Sequence, residues 1–474
     1  MYLNENEVNV YEYVAKLLRN KQYLTLKKVL EELNPADIAI IFEDLSLNEL
    51  IILFRLLPKD LAADTFVEME SDHQEALIRS FSDAELREVL DELYLDDTVD
   101  IIEEMPANVV KKILRNTDIT TRKNINELLK YPEDSAGSIM TIEFVSLRKN
   151  MTVSEALTRI RRTGVDKETI YTCYVTEQNN KLIGIVTAKI LLLANEDDVI
   201  EDIMETNIIF VNTHDDKEEV ASLIDKYHFL AIPVTDDEQR LVGIVTVDDA
   251  IEVMTDEATE DIEKMAAITP GEKPYLKTGI FETYFSRVPW LLILMISAAF
   301  TQSVISSFEG ALSACVVLTA YIPMIMSTGG NSGSQSSVSI IRALSLNDVE
   351  MSDILRILWK ELRVSILCGV TLAIANFVKM MIFDKGSIIE SISMGSGWIS
   401  TVPPVYCAML VSIVVCITII ITVFFAKIVG CSLPILAKRL GFDPAVMANP
   451  FITTIVDAIS LIVYFMVATR MLHL

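Results

Sequence analysis

Hydrophobic and polar positions along this chain of 474 residues follow different patterns in succession. Residues 1–132 place apolar side chains at i, i+3 and i+4 with acidic residues between them, which predicts short amphipathic helices. Residues 133–254 change to short apolar strands that alternate with helices, and residues 287–474 consist mainly of long apolar runs. Residues 255–286 connect these two parts, so the pattern predicts four regions.

The first region, residues 1–132, contains a repeat. The motif Pro-Ala-Asp-Ile-Ala at residues 35–39 recurs as Pro-Lys-Asp-Leu-Ala at residues 58–62, and a looser copy leads through residues 95–100 to Met105-Pro106. This repetition favours a helical array stacked as a small superhelix. In the third copy Asp96, Asp97 and Asp100 share one helical face, which is either a solvated surface or a cation site.

The strand and helix pattern of residues 133–254 occurs twice. The first copy contains a helix around residues 153–162 and strands at 170–176 and 182–187; the second contains a helix at 217–227 and strands at 230–234 and 241–246. The two copies resemble a tandem pair of CBS domains, a module that in its family senses adenosine nucleotides or ions. The alternative is a purely structural pair that transmits shape without a ligand.

A candidate nucleotide site follows from the turn Gly243–Asp249 of the second copy, with the sequence GIVTVDD. The resemblance implies that Thr246 meets a phosphate and Asp249 a ribose hydroxyl, with Tyr171 and Pro233 as further contacts. The first copy has Ile190 where the second has Asp249. We therefore expect at most one nucleotide site, for ATP or a related adenine nucleotide.

Five apolar runs are each long enough to span a bilayer: residues 288–308, 311–341, 354–383, 402–429 and 449–472. Basic residues fall between the second and third runs and between the fourth and fifth: Arg342, Arg356, Lys360, Arg363, Lys427, Lys438 and Arg439. Because basic loops stay on the cytoplasmic side, we expect a multi-pass protein of the cell membrane, with a cytoplasmic N-terminus and an external C-terminus.

The stretch Tyr321–Leu344 has apolar ends but a middle rich in glycine, serine and amides. Pro323 and the pair Gly329-Gly330 predict a helix that is loosened or broken, which membranes tolerate only where the backbone is buried in protein or lines a water-filled cavity. Asn331 and Gln335 lie at i, i+4 on one face. The stretch is thus a polar path or a face where helices pack closely.

Asp457, inside the last apolar run, is the strongest candidate for an intramembrane functional residue. A carboxylate at membrane depth is costly unless it faces a partner or water, and no basic residue lies within one helical turn of it. Asn449 lies eight residues earlier on nearly the same face, so the line from Asn449 to Asp457 suits a cation path. The alternative role for Asp457 is a buried structural hydrogen bond.

Charge is divided unequally along the chain. Residues 1–286 contain 58 acidic and 29 basic residues, a net charge of −29, whereas residues 287–474 contain nine acidic and eleven basic residues. An acidic part of this kind disfavours nucleic acid and anionic membrane surfaces and favours cations. The first ten residues have neither a basic region nor an apolar core, so we expect no cleaved signal peptide. The six cysteines form no CxxC pair and the four histidines no metal-ligand spacing.

The connecting region is itself acidic. Glu257, Glu260, Asp261 and Glu263 crowd one helix between the strands and the first apolar run. The helix is either a plain connector or a cation-dependent latch.

The order of these regions resembles the MgtE family of magnesium transporters and channels, over nearly the whole chain. The most specific matches are Pro323, Gly329-Gly-Asn-Ser-Gly333, Gln335, Gly430, Leu433-Pro434, Asp443-Pro444, Asn449-Pro450, Asp457 and Tyr464-Phe465. Where the family usually has glycine three residues after the pore aspartate, this chain has Ser460. The resemblance implies a homodimer with a pore between its subunits, Mg²⁺ at Asp457, and closure by Mg²⁺ at cytoplasmic acids.

Physical chemistry agrees with this ion. Mg²⁺ keeps its waters and usually meets one or two carboxylates, and a two-fold symmetric dimer supplies two copies of Asp457. Asn331, Asn449 and carbonyls of the glycine-rich segment are expected to contact the hydrated ion. We therefore predict a multidomain α + α/β membrane protein with a cytoplasmic α-helical superhelix, a tandem CBS pair, a connecting helix and a five-helix transmembrane domain.

For the gate, we expect Mg²⁺ to bind between the helical domain, the CBS pair and the connecting helix. The proposed ligands are Asp96, Asp97, Asp100, Asp216, Asp249, Glu257, Glu260 and Asp261. The competing function is a nucleotide-gated secondary transporter of a small solute, but five spans do not form the paired inverted repeats common in that class. A membrane enzyme that uses Asp457 as a base lacks a companion nucleophile or histidine, so no enzymatic activity is predicted.

Overall fold

The computed structural model describes residues 5–43, 45–271, 275–346, 348–393, 403–447 and 449–473. The chain divides into two compact units, Met1–Met254 and Thr255–Leu474. The division falls within one helix, α15 (Val247–Met265), which begins after the last strand of the first unit.

The first unit begins with ten short helices. They are α1 (Glu5–Arg19), α2 (Tyr23–Leu30), α3 (Pro35–Glu43), α4 (Leu47–Phe54), α5 (Lys59–Val67), α6 (Ser71–Ser80), α7 (Asp83–Leu90), α8 (Leu95–Glu104), α9 (Ala107–Asn116) and α10 (Ile119–Leu128). The prolines of the sequence repeat fix helix starts: Pro35 opens α3, while Pro58 and Pro106 immediately precede α5 and α9. Proline suits this position because the first helical turn needs no backbone donor.

These helices stack in two layers. The odd-numbered helices α3, α5, α7 and α9 pack one against the next, as do α4 against α6 and α8 against α10. Their apolar faces form one core that includes Phe42, Leu50 and Phe66 and continues into the second strand-containing domain at Val220 and Ile232. The helical array predicted from the repeat is confirmed.

Two three-stranded sheets follow. The first copy contains β1 (Phe144–Arg148), α11 (Val153–Thr163), β2 (Thr169–Thr176), β3 (Leu182–Thr187) and α12 (Ala188–Leu193). The second contains the short helix α13 (Ile200–Ile203), β4 (Val211–Asn212), α14 (Lys217–Tyr227), β5 (Ala231–Thr235) and β6 (Leu241–Thr246), and leads into α15. In each copy the first strand runs parallel to the second, and the second antiparallel to the third.

The second unit is helical. It contains α16 (Ile280–Ser307), α17 (Glu309–Ala314), α18 (Ile322–Ser345), α19 (Ile354–Lys379), α20 (Lys385–Ser393), α21 (Pro404–Arg439) and α22 (Asn449–Leu472). Four segments in the described part are long and apolar enough to cross a membrane: Ile280–Ser307, Met351–Glu390, Val405–Arg439 and Pro450–Leu472. The chain is therefore a multi-pass membrane protein.

The second predicted span, residues 311–341, differs from its expected form. Helix α18 is continuous over 24 residues, so the expected break in the glycine-rich stretch is wrong. Pro323 lies in the first turn, where it removes no needed donor, and the interruption comes earlier, in a 3₁₀ segment at Val316–Tyr321. The glycines remain helical because neighbouring helices pack directly on them; an added Cβ on Gly329 would lie 2.7 Å from Ser460 Oγ.

Helix α21 also differs from the sequence interpretation. It runs to Arg439, so Lys427 lies inside a helix and is buried, not in a loop between spans. Glu361, within α19, is an additional acid inside an apolar run. Asp457 is thus not the only ionisable residue of the buried membrane region, because these two residues form an ion pair there.

Candidate cation-binding sites

Several acids of the first unit surround the start of α8. Asp96 and Asp97 lie in the first turn of α8, and Asp100 follows one turn later. Asp96 is only 8% exposed, which is unusual for a carboxylate. The alternative of a merely solvated face is therefore excluded for Asp96.

Two further acids complete this cluster, and the sequence analysis missed them. One carboxylate oxygen from each of Asp96, Glu143 and Glu168 lies within 4.8 Å of the others. Opposite oxygens around Mg²⁺ are about 4.2 Å apart, so these three can surround one divalent ion or its hydration shell. Among the described residues, one oxygen of Glu168 is buried without a hydrogen-bond partner.

The sheet register explains why Glu143 and Glu168 meet. Each immediately precedes a strand, and those strands are parallel neighbours in which Phe144 pairs with Thr169. Glu143 also accepts a hydrogen bond at 3.1 Å from the backbone N–H of Leu95, the first residue of α8. This contact places a carboxylate at the positive end of the helix and joins the helical domain to the sheet.

The cluster is electrostatically unfavourable without a cation. Burial, together with repulsion from Asp249 and Asp248, raises the pKa of Asp97 to about 7. Burial and repulsion from Asp97 raise the pKa of Glu168 to about 8. Desolvation by the surrounding protein and repulsion from Asp249 raise the pKa of Asp100 to about 8. The Asp100 residue is nevertheless exposed to solvent at its surface. A divalent ion would offset both the burial of these carboxylates and the repulsion between them.

Asp249 belongs to this cluster and to the candidate nucleotide site. The Thr246 hydroxyl donates to Asp249 Oδ2 at 2.6 Å, while burial raises the pKa of the Asp249 carboxyl. In the first copy the matching Thr187 hydroxyl instead accepts from the backbone N–H of Ile190. Because the first copy has Ile190 in place of the aspartate, Thr187 contacts a backbone N–H, whereas Thr246 of the second copy contacts a carboxylate.

The other predicted residues of the first unit occupy separate positions. Asp216 caps α14 by accepting from the backbone N–H of Glu218 at 2.8 Å. Tyr171, on β2, is 64% exposed, and Pro233 is buried in β5. In the described contacts neither Tyr171 nor Pro233 is brought to the Thr246 and Asp249 pair.

A second acidic site lies in the second unit, at the connecting helix. Lys264 contacts Asp443 at 2.7 Å and also pairs with Glu260. Asp261 accepts a hydrogen bond from the Ser345 hydroxyl at 3.3 Å, and burial, with repulsion from Asp443, raises the pKa of Asp261. Here the carboxylates surround a protein ammonium. Glu257 is half-buried on the same helix.

Asp457 lies on α22 where this helix packs against α18. Val456, one residue before Asp457, and Ser460, three residues after it, contact the glycine face of α18 at Gly329. One carboxylate oxygen of Asp457 is buried with no hydrogen-bond partner among the described residues. The alternative of a satisfied structural hydrogen bond is not supported for that oxygen.

The polar face of α18 is turned away from these contacts. Asn331 and Gln335 are both exposed, as expected for a shared face, and Asn331 donates to Ser327 Oγ at 3.4 Å. The same helix thus packs through its glycines and presents its amides elsewhere. Asn449 begins α22, but its side chain lies outside the described residues.

Three helices meet at a buried polar group that the sequence analysis did not identify. Lys427 of α21 contacts Ser336 of α18 at 3.1 Å and Glu361 of α19 at 3.4 Å. The Ser336 hydroxyl donates to Glu361 at 2.7 Å. A lysine and a glutamate 66 positions apart give no periodic signal, so only the packed structure reveals the pair.

Family models match the chain in three regions. Residues 322–467 match the model MgtE, described as a divalent cation transporter. Residues 33–134 match the MgtE intracellular N domain, and residues 136–197 and 200–256 each match a CBS domain.

Full-length relatives share this arrangement. The magnesium transporter MgtE of Thermus thermophilus is 36% identical over 452 residues, covering 94% of this chain and 95% of the relative. That of Bacillus subtilis is 31% identical over 457 residues, covering 96% of each.

Solved structures resemble the cytoplasmic part. A crystal structure of the soluble part of a magnesium transporter has a TM-score of 0.50 and 32% identity, covering 53% of this chain and 99% of that one. A crystal structure of the cytosolic domain of the Mg²⁺ channel MgtE in complex with ATP has a TM-score of 0.49 and 35% identity, covering 51% and 99%.

Proposed function

This chain belongs to the MgtE family of divalent cation transporters, and we propose that it passes Mg²⁺ through a homodimeric pore in which Asp457 is the central ligand. The observation that carries this proposal is the buried, unpartnered carboxylate oxygen of Asp457 among the described residues. An intramembrane carboxylate without a basic partner requires a cation, water or a proton. In a membrane transporter, the transported ion meets that requirement.

The chemistry of Mg²⁺ favours a dimer. One carboxylate per chain, doubled by a two-fold axis, supplies the one or two carboxylates that Mg²⁺ usually contacts while keeping its waters. The exposed amides of Asn331 and Gln335 supply polar groups for a hydration shell. In a dimer this face of α18 would turn toward the partner subunit and the ion path.

Closure by internal Mg²⁺ forms the second part of the proposal. The cluster of Asp96, Glu143 and Glu168 binds a divalent ion when the ion concentration is high, and the acids of the connecting helix bind a further ion. Bound ions remove the repulsion between buried carboxylates and hold the connecting helix in a closed position. Low internal Mg²⁺ then opens the pore, so the transported ion regulates its own entry. The cytoplasmic side carries the N-terminus in this arrangement.

We also propose a nucleotide site at the second CBS copy. Thr246 and Asp249 are already bonded to each other, and Asp249 also belongs to the acidic cluster. An adenine nucleotide would therefore bind weakly, once per chain. Calorimetry that found two equal, tight ATP sites per chain would contradict this asymmetry.

Flux measurements on Asp457 variants test the pore. With the full chain in proteoliposomes, Asp457→Ala should abolish Mg²⁺ uptake, because it removes the carboxylate, and Asp457→Glu should retain part of it. The matched control is Asp353→Asn, which neutralises an acid that forms an exposed ion pair with Arg356. Normal Mg²⁺ uptake by the folded Asp457→Ala protein would disprove the pore assignment.

A further inference from the structure

The buried group formed by Ser336, Glu361 and Lys427 links every pair among three helices. The Ser336 hydroxyl joins α18 to α19, and the Lys427 ammonium joins α21 to both. The Lys427 side chain is 6% exposed and that of Glu361 is 14% exposed. A paired lysine and glutamate this deep usually have a function beyond stability, because desolvation offsets much of their attraction.

The closest contact between α18 and α21 lies one helical turn away from this group. A Cβ added at Gly430 would lie 2.2 Å from the backbone oxygen of Gly333, so only glycine fits there. Gly333 precedes Ser336 by three residues, and Gly430 follows Lys427 by three. The ion pair and the glycine contact therefore fix the same crossing of α18 over α21.

That crossing bears on the surroundings of Asp457. A Cβ added at Gly333 would meet Ile452 and Val456 of α22 as well as the Ala426 carbonyl of α21, and Val456 is the residue before Asp457. A shift of α18 relative to α21 would therefore change the packing beside the proposed pore ligand. Because a Cβ on Gly333 would lie only 2.9 Å from Ile452, the packing at this crossing leaves no room for a side chain.

A second feature separates this crossing from the cytoplasmic end of α21. Pro434 lies inside α21, seven residues beyond Lys427, and deprives Gly430 of its helical hydrogen bond. Beyond the proline, the chain leads to Asp443, which contacts Lys264 of the connecting helix. Proline is a usual place for a helix to bend. Pro434 thus separates the part of α21 that carries Lys427 from the part that leads to Asp443.

We propose that Glu361 and Lys427 are positioning residues that hold α18, α19 and α21 at one crossing and thereby maintain the geometry of the surroundings of Asp457. This inference rests on the proposed Mg²⁺ transport function. The pair acts on the ion through α18 and touches no ion itself. Its loss should change which divalent ions pass as well as how fast they pass.

Four variants of the full chain test the pair: Lys427→Met, Glu361→Gln, both together, and the exchange of the two residues. We measure the ratio of Mg²⁺ to Mn²⁺ flux in proteoliposomes, and hydrogen exchange of the α18 amides. Each single variant should lower the Mg²⁺ to Mn²⁺ ratio about tenfold and raise α18 exchange by a similar factor, because one charge stays buried and unpaired. The double neutral variant should recover the parent's slow exchange of the α18 amides but keep an altered Mg²⁺ to Mn²⁺ ratio. The exchanged pair should restore part of that ratio.

The control is Asp353→Asn with Arg356→Gln, an exposed ion pair of 3.0 Å at the start of α19, which should leave both readouts unchanged. A Lys427→Met protein with the parent's flux ratio and α18 exchange would overturn the inference. A double neutral variant that matches the parent in both readouts would also overturn it. Failure of the parent itself to carry Mg²⁺ would instead refute the proposed function, and the exchange data would still report on the three-helix contact.

Discussion

The acidic sites of the two units solve the same electrostatic problem differently. In the first unit one carboxylate oxygen from each of Asp96, Glu143 and Glu168 lies within 4.8 Å of the others. In the second unit Glu260 and Asp443 converge on the ammonium of Lys264. A divalent cation from solution would lower the electrostatic cost of the first group, whereas the second group surrounds a protein ammonium.

The same contrast appears inside the membrane unit. Glu361 is paired with Lys427, while one oxygen of Asp457 has no partner among the described residues. A carboxylate with a protein cation is suited to hold helices together, and one without is suited to bind a mobile ion. The presence or absence of a protein cation therefore distinguishes these acids where burial does not, because both are buried or half-buried.

Neutralising the three aspartates that α8 contributes to the acidic cluster should have the largest effect on regulation. We expect Asp96→Asn, Asp97→Asn and Asp100→Asn together to raise the internal Mg²⁺ needed for half-closure by roughly tenfold or more, because the proposed Mg²⁺ site loses its carboxylates. Mg²⁺ flux into proteoliposomes with varied internal Mg²⁺ measures this shift.

Three exposed acids of the same helical domain provide the control for that variant. Glu68, Glu88 and Glu92 changed together to glutamine alter the net charge equally without touching the cluster. This control should keep the parent's closure curve. Equal shifts in the two triple variants would mean that overall charge, not the cluster, controls closure.

Removing the built-in cation should act in the opposite direction and less strongly. Lys264→Met leaves Glu260, Asp261 and Asp443 without their ammonium, so these acids should bind Mg²⁺ more tightly. Half-closure should then occur at internal Mg²⁺ several-fold lower than in the parent. The same flux assay, with Arg356→Gln as a surface control, checks the direction. A shift to higher Mg²⁺ would show that Lys264 assists closure.

The pH dependence of stability should show the smallest effect. The pKa of Asp97 rises from 3.8 to about 7 and that of Glu168 from 4.5 to about 8, so the folded state holds more protons than the unfolded state between these values. In the absence of Mg²⁺, the contribution of these two groups to stability is therefore greatest below about pH 4. That contribution falls as the pH rises toward about 8.

Thermal unfolding of residues 1–271, a segment like the separately solved soluble part of a relative, measures this trend. In chelator, the melting temperature should drop by a few degrees between pH 5.5 and 8.5. Saturating Mg²⁺ should reduce that drop, because it binds the ionised carboxylates. The Asp96, Asp97 and Asp100 triple asparagine variant should show a smaller pH dependence. A melting temperature that rises with pH in chelator would contradict the raised pKa values.

Much of the architecture could be predicted from local pattern. Hydrophobic periodicity predicted the helical array, the duplicated sheets and the long apolar helices, since each depends on neighbours a few residues apart. Asp457 was identifiable because a lone acid in an apolar run conflicts with its surroundings. The shared face of Asn331 and Gln335 also follows from helical spacing alone.

Contacts between distant segments were decided only by tertiary structure. Glu143 and Glu168 join Asp96 because each immediately precedes one of two parallel strands whose first residues are paired, and their separation along the chain does not indicate this. Lys427 finds Glu361 because α19 and α21 pack closely, and α18 stays helical because α21 and α22 cover its glycines. Hydrophobic periodicity indicates which face of a segment is buried. Tertiary packing determines the partner on that face, and therefore the charge that a buried carboxylate meets.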